Sequence, residues 1–128
     1  MTVAPSNVAL MDEHVQAALA RGGVIDITTT GRASGQPRRL EIVLHSIGGR
    51  WFISGKPGWP RGWIANLHAD PRMIVHLKRG VVADLPARGR VITDRSEREA
   101  ILPPIAEGWG YALSVMVAGS PLIEVTFG

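Results

Sequence analysis

Gly48 and Gly49 lie between two β-rich runs, "RLEIVLHSI" and "RWFIS", and this arrangement constrains the fold more than any other local feature. A tight hairpin turn needs positive φ, which glycine adopts without a Cβ penalty. The two runs are therefore expected to be antiparallel neighbours, with Leu40, Ile42 and Leu44 sharing one face. That hairpin sets the pattern for the rest of the chain.

Four further stretches alternate at the period of a strand. "VIDITTT" sets Ile25 and Ile27 against Asp26 and Thr28, and "RMIVHLK" turns Met73, Val75 and Leu77 one way. "VVADLPARGRVIT" carries Pro86, which predicts an edge or a bulge there, and "PLIEVTF" alternates to the end of the chain. Helical spacing covers residues 7–21, with Asn7 as N-cap, Val8, Met11, Val15, Ala18 and Leu19 on one face, and Gly22-Gly23 as the stop. Pro60 suits the first turn of a short helix burying Trp63, Ile64 and Leu67. Asp94 and Glu97 have capping-box spacing, and Pro103-Pro104 interrupts the helix they open. "GWGYALSVMVA" fits either a helical turn or an irregular lid.

About six strands joined mostly by short turns, without regular βαβ alternation, argue against a doubly wound parallel sheet. The expected class is α+β: a small antiparallel barrel or strongly curled sheet with flanking helices. With 128 residues, 45% of them hydrophobic, one domain spanning 1–128 is expected.

Composition removes several chemistries. The chain has no cysteine, so disulfides, thiolate metal sites and a cysteine nucleophile are excluded. His14, His45, His68 and His76 form no metal-ligand pattern, so surface or filler roles and no metal are expected. No Gly-x-Ser-x-Gly elbow supports a serine hydrolase. The first residues lack the basic start and apolar run of a signal peptide, and no window approaches a membrane span. A cytoplasmic protein without an integral membrane segment is expected. The net charge is only +3, yet Arg32, Arg38, Arg39, Arg50 and Lys56 face a single acid, Glu41, between residues 32 and 56. That local field suits a small anionic ligand better than a nucleic acid.

Two loops fall within this basic stretch. "TTTGRASGQPRR" combines Gly31, Gly35, Ser34 and three arginines, whose guanidinium forks match phosphate or carboxylate oxygens. It reads equally as a solvated hairpin loop. "SGKPGWPRGW" sets Lys56 between glycines and beside Trp59 and Trp63, which suits an anionic planar ligand or simple lid packing. Tyr111 is the only tyrosine, a candidate proton donor or pocket residue. With no evident acid, base, nucleophile or metal of its own, an enzyme of this kind takes its chemistry from a cofactor.

Taken in order, "TTTGRASGQPRR", "ISGKPG" and "GWIANLHADPRMIVHL" resemble the deazaflavin-dependent nitroreductase family of actinobacterial flavin/deazaflavin oxidoreductases. The resemblance covers roughly Ile27 to Leu77 and implies a split β-barrel of the FMN-binding type. It also implies coenzyme F-420, an 8-hydroxy-5-deazaflavin with a phosphodiester and an acidic tail. By that resemblance Gly31, Arg32, Ser34, Gly35 and Arg38 meet the phosphate region, Lys56 helps the arginines fix the tail, and Trp63 flanks the deazaflavin pocket, with Asn66 in the same cofactor-binding segment. Pro57 replaces a glycine of the family pattern, and the several C-terminal tyrosines of relatives are reduced to Tyr111. The implied activity is hydride transfer to a small nitro, quinone or conjugated-ene substrate, in a protein expected to pair as a homodimer. Two alternatives stay open: a non-catalytic barrel holding deazaflavin, a fatty acid or haem, and an FMN-dependent oxidoreductase of the same fold.

Overall fold

The computed structural model describes residues 12–58 and 61–128. Expectations for Asn7, Val8, Met11, Trp59 and Pro60 fall outside the described residues.

The helix α1 (Glu13–Arg21) opens at Asp12, whose carboxylate accepts from the His14 and Val15 N–H groups at 2.7 and 3.4 Å. It closes at Gly22 with φ of 66°, where a Cβ would lie 2.5 Å from the Leu44 carbonyl oxygen. Only glycine fits that junction. The chain continues as β1 (Gly23–Thr30), β2 (Pro37–Ile47) and β3 (Arg50–Ser54). Gly48 and Gly49 make the β2–β3 turn with φ of 58° and 77°, as their positions predict. Then follow α2 (Gly62–Ala69), β4 (Arg72–Leu77) and β5 (Ala83–Val91). Three short helices, α3 (Arg95–Ile101), α4 (Pro103–Trp109) and α5 (Leu113–Gly119), precede β6 (Leu122–Phe127).

The six strands close into an antiparallel barrel in the order β1-β2-β3-β6-β5-β4, with β4 returning to β1. Its interior takes the alternating residues predicted for it: Ile25, Ile27, Leu44, Met73, Val75, Leu77, Ile123 and Val125 are buried, and Leu19 and Leu67 pack with them from α1 and α2. A second core lies outside the barrel, where Phe52, Ile92 and Leu122 meet Ile101, Leu102, Ile105, Ala106 and Met116 from α3–α5. Burying large aliphatic and aromatic side chains in both layers supplies most of the driving force for the fold.

Two local expectations are refined. Pro86 sits opposite Ile74 of β4, and the pairing of β5 with β6 begins one residue later, at Ala87↔Phe127. Its carbonyl accepts from the Gly128 N–H, and a strand residue's N–H and C=O point the same way. The donor that proline lacks therefore falls where β6 runs out, a local edge of the kind its position predicts, without a bulge in the β4 pairing. "GWGYALSVMVA" resolves into two helices because Gly110 turns left-handed at φ of 74° between α4 and α5.

β2 outruns β3. Its pairing with β1 runs from Gly23↔Leu44 to Thr30↔Pro37, but its pairing with β3 ends at Val43↔Ser54. Residues 37–42 thus have a strand neighbour on one side only. The barrel opens there.

Candidate functional site

The loop between β1 and β2 is a tight turn. Gly31 N–H donates to the Gln36 carbonyl and Gly35 N–H to the Gly31 carbonyl, both at 2.8 Å. Gly35 takes φ of 69°, and the Ser34 hydroxyl accepts from Gln36 N–H at 3.1 Å. These three bonds tie up the polar groups of the loop locally and give its arginines a fixed base.

Asn66, buried on α2, holds that loop to the barrel. Its Oδ1 accepts from the Arg32 backbone N–H at 3.1 Å and from Arg32 Nη1 at 3.4 Å. Its Nδ2 donates to Thr29 Oγ1 at 3.2 Å. The amide expected to touch a ligand is therefore occupied by the protein, in a positioning arrangement. Its neighbour Trp63 is half-buried beside it.

A cleft of about 420 Å³ is lined by Gly31, Arg32, Ser34, Arg38, Trp63 and Asn66, together with Ala33, Leu40 and Gly62. Six of the eight positions expected to meet a cofactor thus line one cleft; Gly35 belongs to the same turn, and Lys56 lies outside the lining. Leu40 and Trp63 also line a second cleft of about 380 Å³, which lies at the open end of β2 and continues past Ser54, Gly55 and Arg61 to Trp109. The two clefts share a wall and form one groove. Lys56 is exposed beside Gly55, on the loop that leaves β3. Tyr111 is exposed on the α4–α5 connection and lines neither cleft.

Charge distinguishes this groove from the rest of the surface. Arg39, at the end of the same loop, pairs with Asp26 at 2.9 Å, and Lys78 bridges Asp26 and Glu41. Lys78 and Arg39 hold the Asp26 carboxyl below its usual range. Arg32 and Arg38 have no carboxylate partner among the described residues. Guanidinium groups gathered without acids form a site for an anion.

Arg61 lines the second cleft; it belongs to "SGKPGWPRGW" but is not among the residues expected to meet a cofactor. A single arginine between a proline and a glycine carries no pattern that marks it. The histidines also differ from surface groups. His76 is buried, with Nε2 at 2.6 Å from Thr28 Oγ1 and Nδ1 at 2.6 Å from Asp84. His45 is half-buried against Trp109, and burial pushes its imidazole down toward the neutral form. No metal-ligating cluster occurs among the described residues.

The molecule is thus a small antiparallel barrel, open along part of β2, with arginines lacking carboxylate partners among the described residues beside the opening. Solved structures share the architecture. An F420-H2-dependent reductase, FDR-A, is 23% identical, with 81% of this chain and 94% of that one covered and a TM-score of 0.58. A candidate pyridoxamine 5'-phosphate oxidase from Listeria innocua is 14% identical, covering 90% and 91% at a TM-score of 0.66. An FAD-binding protein from Mesorhizobium loti is 15% identical, covering 88% and 86% at a TM-score of 0.60. Residues 8–107 match the family described as F420H(2)-dependent quinone reductase, and the chain belongs to that family. It is an F-420-dependent oxidoreductase, as the order of its motifs implied.

The residues present fit such a cofactor. The first cleft offers guanidinium donors for a phosphate, and the second offers indole faces, an open strand edge and a buried guanidinium nitrogen without a partner. A phosphate-bearing planar molecule needs those two chemistries side by side.

Proposed function

We propose that the joined clefts bind coenzyme F-420, with Arg32, Arg38 and Ser34 at the phosphate, Lys56 toward the acidic tail and Trp63 against the ring. The observation that carries this reading is the convergence of two acid-free arginines and a tryptophan on one groove, at positions the family motif occupies. Bound and reduced, the deazaflavin supplies a hydride equivalent to a small quinone, nitro or conjugated-ene acceptor. The protein's part is to fix the ring, exclude water from its reactive face and anchor the distant tail. Asn66 acts one step back, by keeping Arg32 and its loop in place. Protonation of the reduced product falls to water, since Tyr111 stands outside both clefts.

The test is a fluorescence titration of the purified protein with F-420 and with FMN. F-420 is expected to bind more tightly, because its longer anionic tail reaches Lys56 as well as the arginine loop. Arg38→Ala and Lys56→Ala should each weaken F-420 about ten-fold, the size of one charge-assisted contact. Neither change should alter the thermal midpoint, because neither side chain holds another element. Equal affinities for F-420 in all three proteins would remove this loop from the site. Turnover is then followed as reoxidation of reduced F-420 by quinones, nitroaromatics and enones, and the quinones are expected to react fastest. Preference for FMN would favour the flavin reading that the FAD-binding neighbour supports.

A further inference from the structure

Arg61 stands immediately before α2, where the chain returns from the β3 loop to the barrel. Its Nη2 donates to the Lys56 carbonyl at 2.7 Å. Its Nη1 is shut away from solvent and has no hydrogen-bond partner among the described residues. A Cβ at residue 55 would lie 2.5 Å from that same nitrogen, so glycine at 55 is what lets the guanidinium reach inward. The cleft it reaches holds one carboxylate, Glu41, and Lys78 engages that group.

A buried guanidinium N–H without an acceptor is costly, and proteins rarely leave one unless something else fills the gap. The contrast with Arg98 is direct: that buried guanidinium is met by four carbonyl oxygens. Around Arg61 the cleft supplies Trp63 and Trp109 as apolar faces and the one-sided stretch of β2 as a row of main-chain groups. These surroundings suit a flat, amide-edged ring. What they lack is an acceptor for Nη1.

We propose that Arg61 is a ring-reading residue: a small shift of its guanidinium off Gly55 brings the unpartnered Nη1–H to an oxygen on the edge of the planar ligand seated between β2 and the end of β3. The inference rests on the cofactor reading above and extends it from the tail to the ring. The oxygen is either a carbonyl of the ring's pyrimidine edge or the hydroxyl oxygen at its far edge. In both cases Arg61 selects ligands that carry oxygen at that position. Because the other guanidinium nitrogen holds the Lys56 carbonyl, ring binding and the position of the Lys56 loop are coupled through one side chain.

The experiment uses two ligands, F-420 and 8-hydroxy-5-deazariboflavin, the same ring without phosphate or tail. Wild type, Arg61→Met, Arg61→Lys and Arg38→Ala are titrated with both by fluorescence. Arg61→Met should weaken both ligands by the same factor, about ten- to hundred-fold, the range for a hydrogen bond from a charged donor. Arg61→Lys should lose less, keeping the charge but only one of the two contacts. Arg38→Ala should weaken F-420 and leave the tail-less ring unchanged. Ligand-free Arg61→Met should melt at or above the wild-type temperature, because its unpaired buried donor is gone.

An FMN titration identifies the oxygen. A loss shared by FMN assigns a pyrimidine carbonyl, and a loss confined to the hydroxylated ring assigns the far-edge oxygen. Unchanged affinity of Arg61→Met for the tail-less ring overturns the proposal, as does a loss restricted to F-420, which would place Arg61 at the tail. If Arg61→Met does not fold, Arg61→Lys is read against the same two outcomes. Failure of wild type to bind either deazaflavin would instead refute the cofactor reading, and this inference with it.

Discussion

The protein carries two sets of cations with opposite surroundings. On the β5–β6 and α3 side, Arg90 meets Glu97 at 2.7 Å and Glu124 at 2.9 Å, Arg50 meets Glu124 at 2.8 Å, and Arg98 donates to the carbonyls of Ile92, Met116, Val117 and Ser120. On the groove side, Arg32, Arg38, Lys56 and Arg61 face no carboxylate partner among the described residues. The first set is complete without a ligand. The second has no carboxylate bonded to it among the described residues, which favours a bound anion rather than the fold. The contrast predicts that substitutions in one set change unfolding, and substitutions in the other change binding.

The sharpest test lies at Arg98. Burial pushes its guanidinium pKa down, but arginine begins so high that the charge persists. Three of its four acceptors lie at or just beyond the C-terminal turn of α5, so it closes that helix and ties it to the end of β5. Arg98→Met strands these carbonyls at a cost of about 1–3 kcal/mol for each that water cannot reach. A total loss of about 3 kcal/mol or more is expected in urea unfolding, while the folded fraction binds cofactor with wild-type affinity. A loss below about 1 kcal/mol would break the division between the two sets.

Asn66 sits on the boundary and tests it differently. Asn66→Ala leaves buried Thr29 Oγ1 and the Arg32 N–H without partners, a loss of about 1–3 kcal/mol in unfolding. Cofactor affinity should fall too, because the arginine loop is no longer held. Asn66→Asp separates the two effects. The aspartate keeps the acceptor for Arg32, so stability should lie nearer wild type than in the alanine variant. It also sets a negative charge beside Arg32, so F-420 affinity should fall further than in Asn66→Ala. The reverse ranking in a paired unfolding and titration series would show that Asn66 meets the ligand itself.

Much of the barrel was legible because strand identity is a local property. The alternation of Ile25 and Ile27, the Gly48-Gly49 turn and the Asp94 cap each depend on a few neighbouring residues. Asp94 does accept from Glu97 N–H at 2.9 Å, although the Glu97 side chain turns to Arg90 instead of completing the capping box. Closure of the barrel through β1 and β4 joins Asp26 to His76 across the chain, and no local pattern encodes that pairing. The same distance hid the burial of His76, whose partners arrive from two neighbouring strands. At the site, residue types were readable but their roles were not. Arg32, Arg38 and Arg39 look alike in sequence, and only the fold sets Asp26 beside the third. Arg61 acquires meaning only from Gly55 and the end of β3.

The smallest expected effect concerns the paired set. Arg50 and Arg90 hold the Glu124 carboxyl below its ordinary 4.5, and Arg90 does the same for Glu97. A carboxyl with a depressed folded-state pKa contributes stability above its unfolded value, and that contribution is lost as pH falls through the folded value. Wild type should therefore lose stability with a distinct slope below about pH 4.5, where the unfolded chain takes up protons first. Arg90→Met removes the main cause at Glu97 and part of it at Glu124. Its urea midpoint should lie slightly below wild type at neutral pH, and the gap should close on acidification. Because these groups are largely solvated, molar salt should shrink the gap as well. Parallel midpoint curves across the acid range would mean that the Arg90 network is a surface decoration. The division between structural and ligand-directed cations would then rest on Arg98 alone.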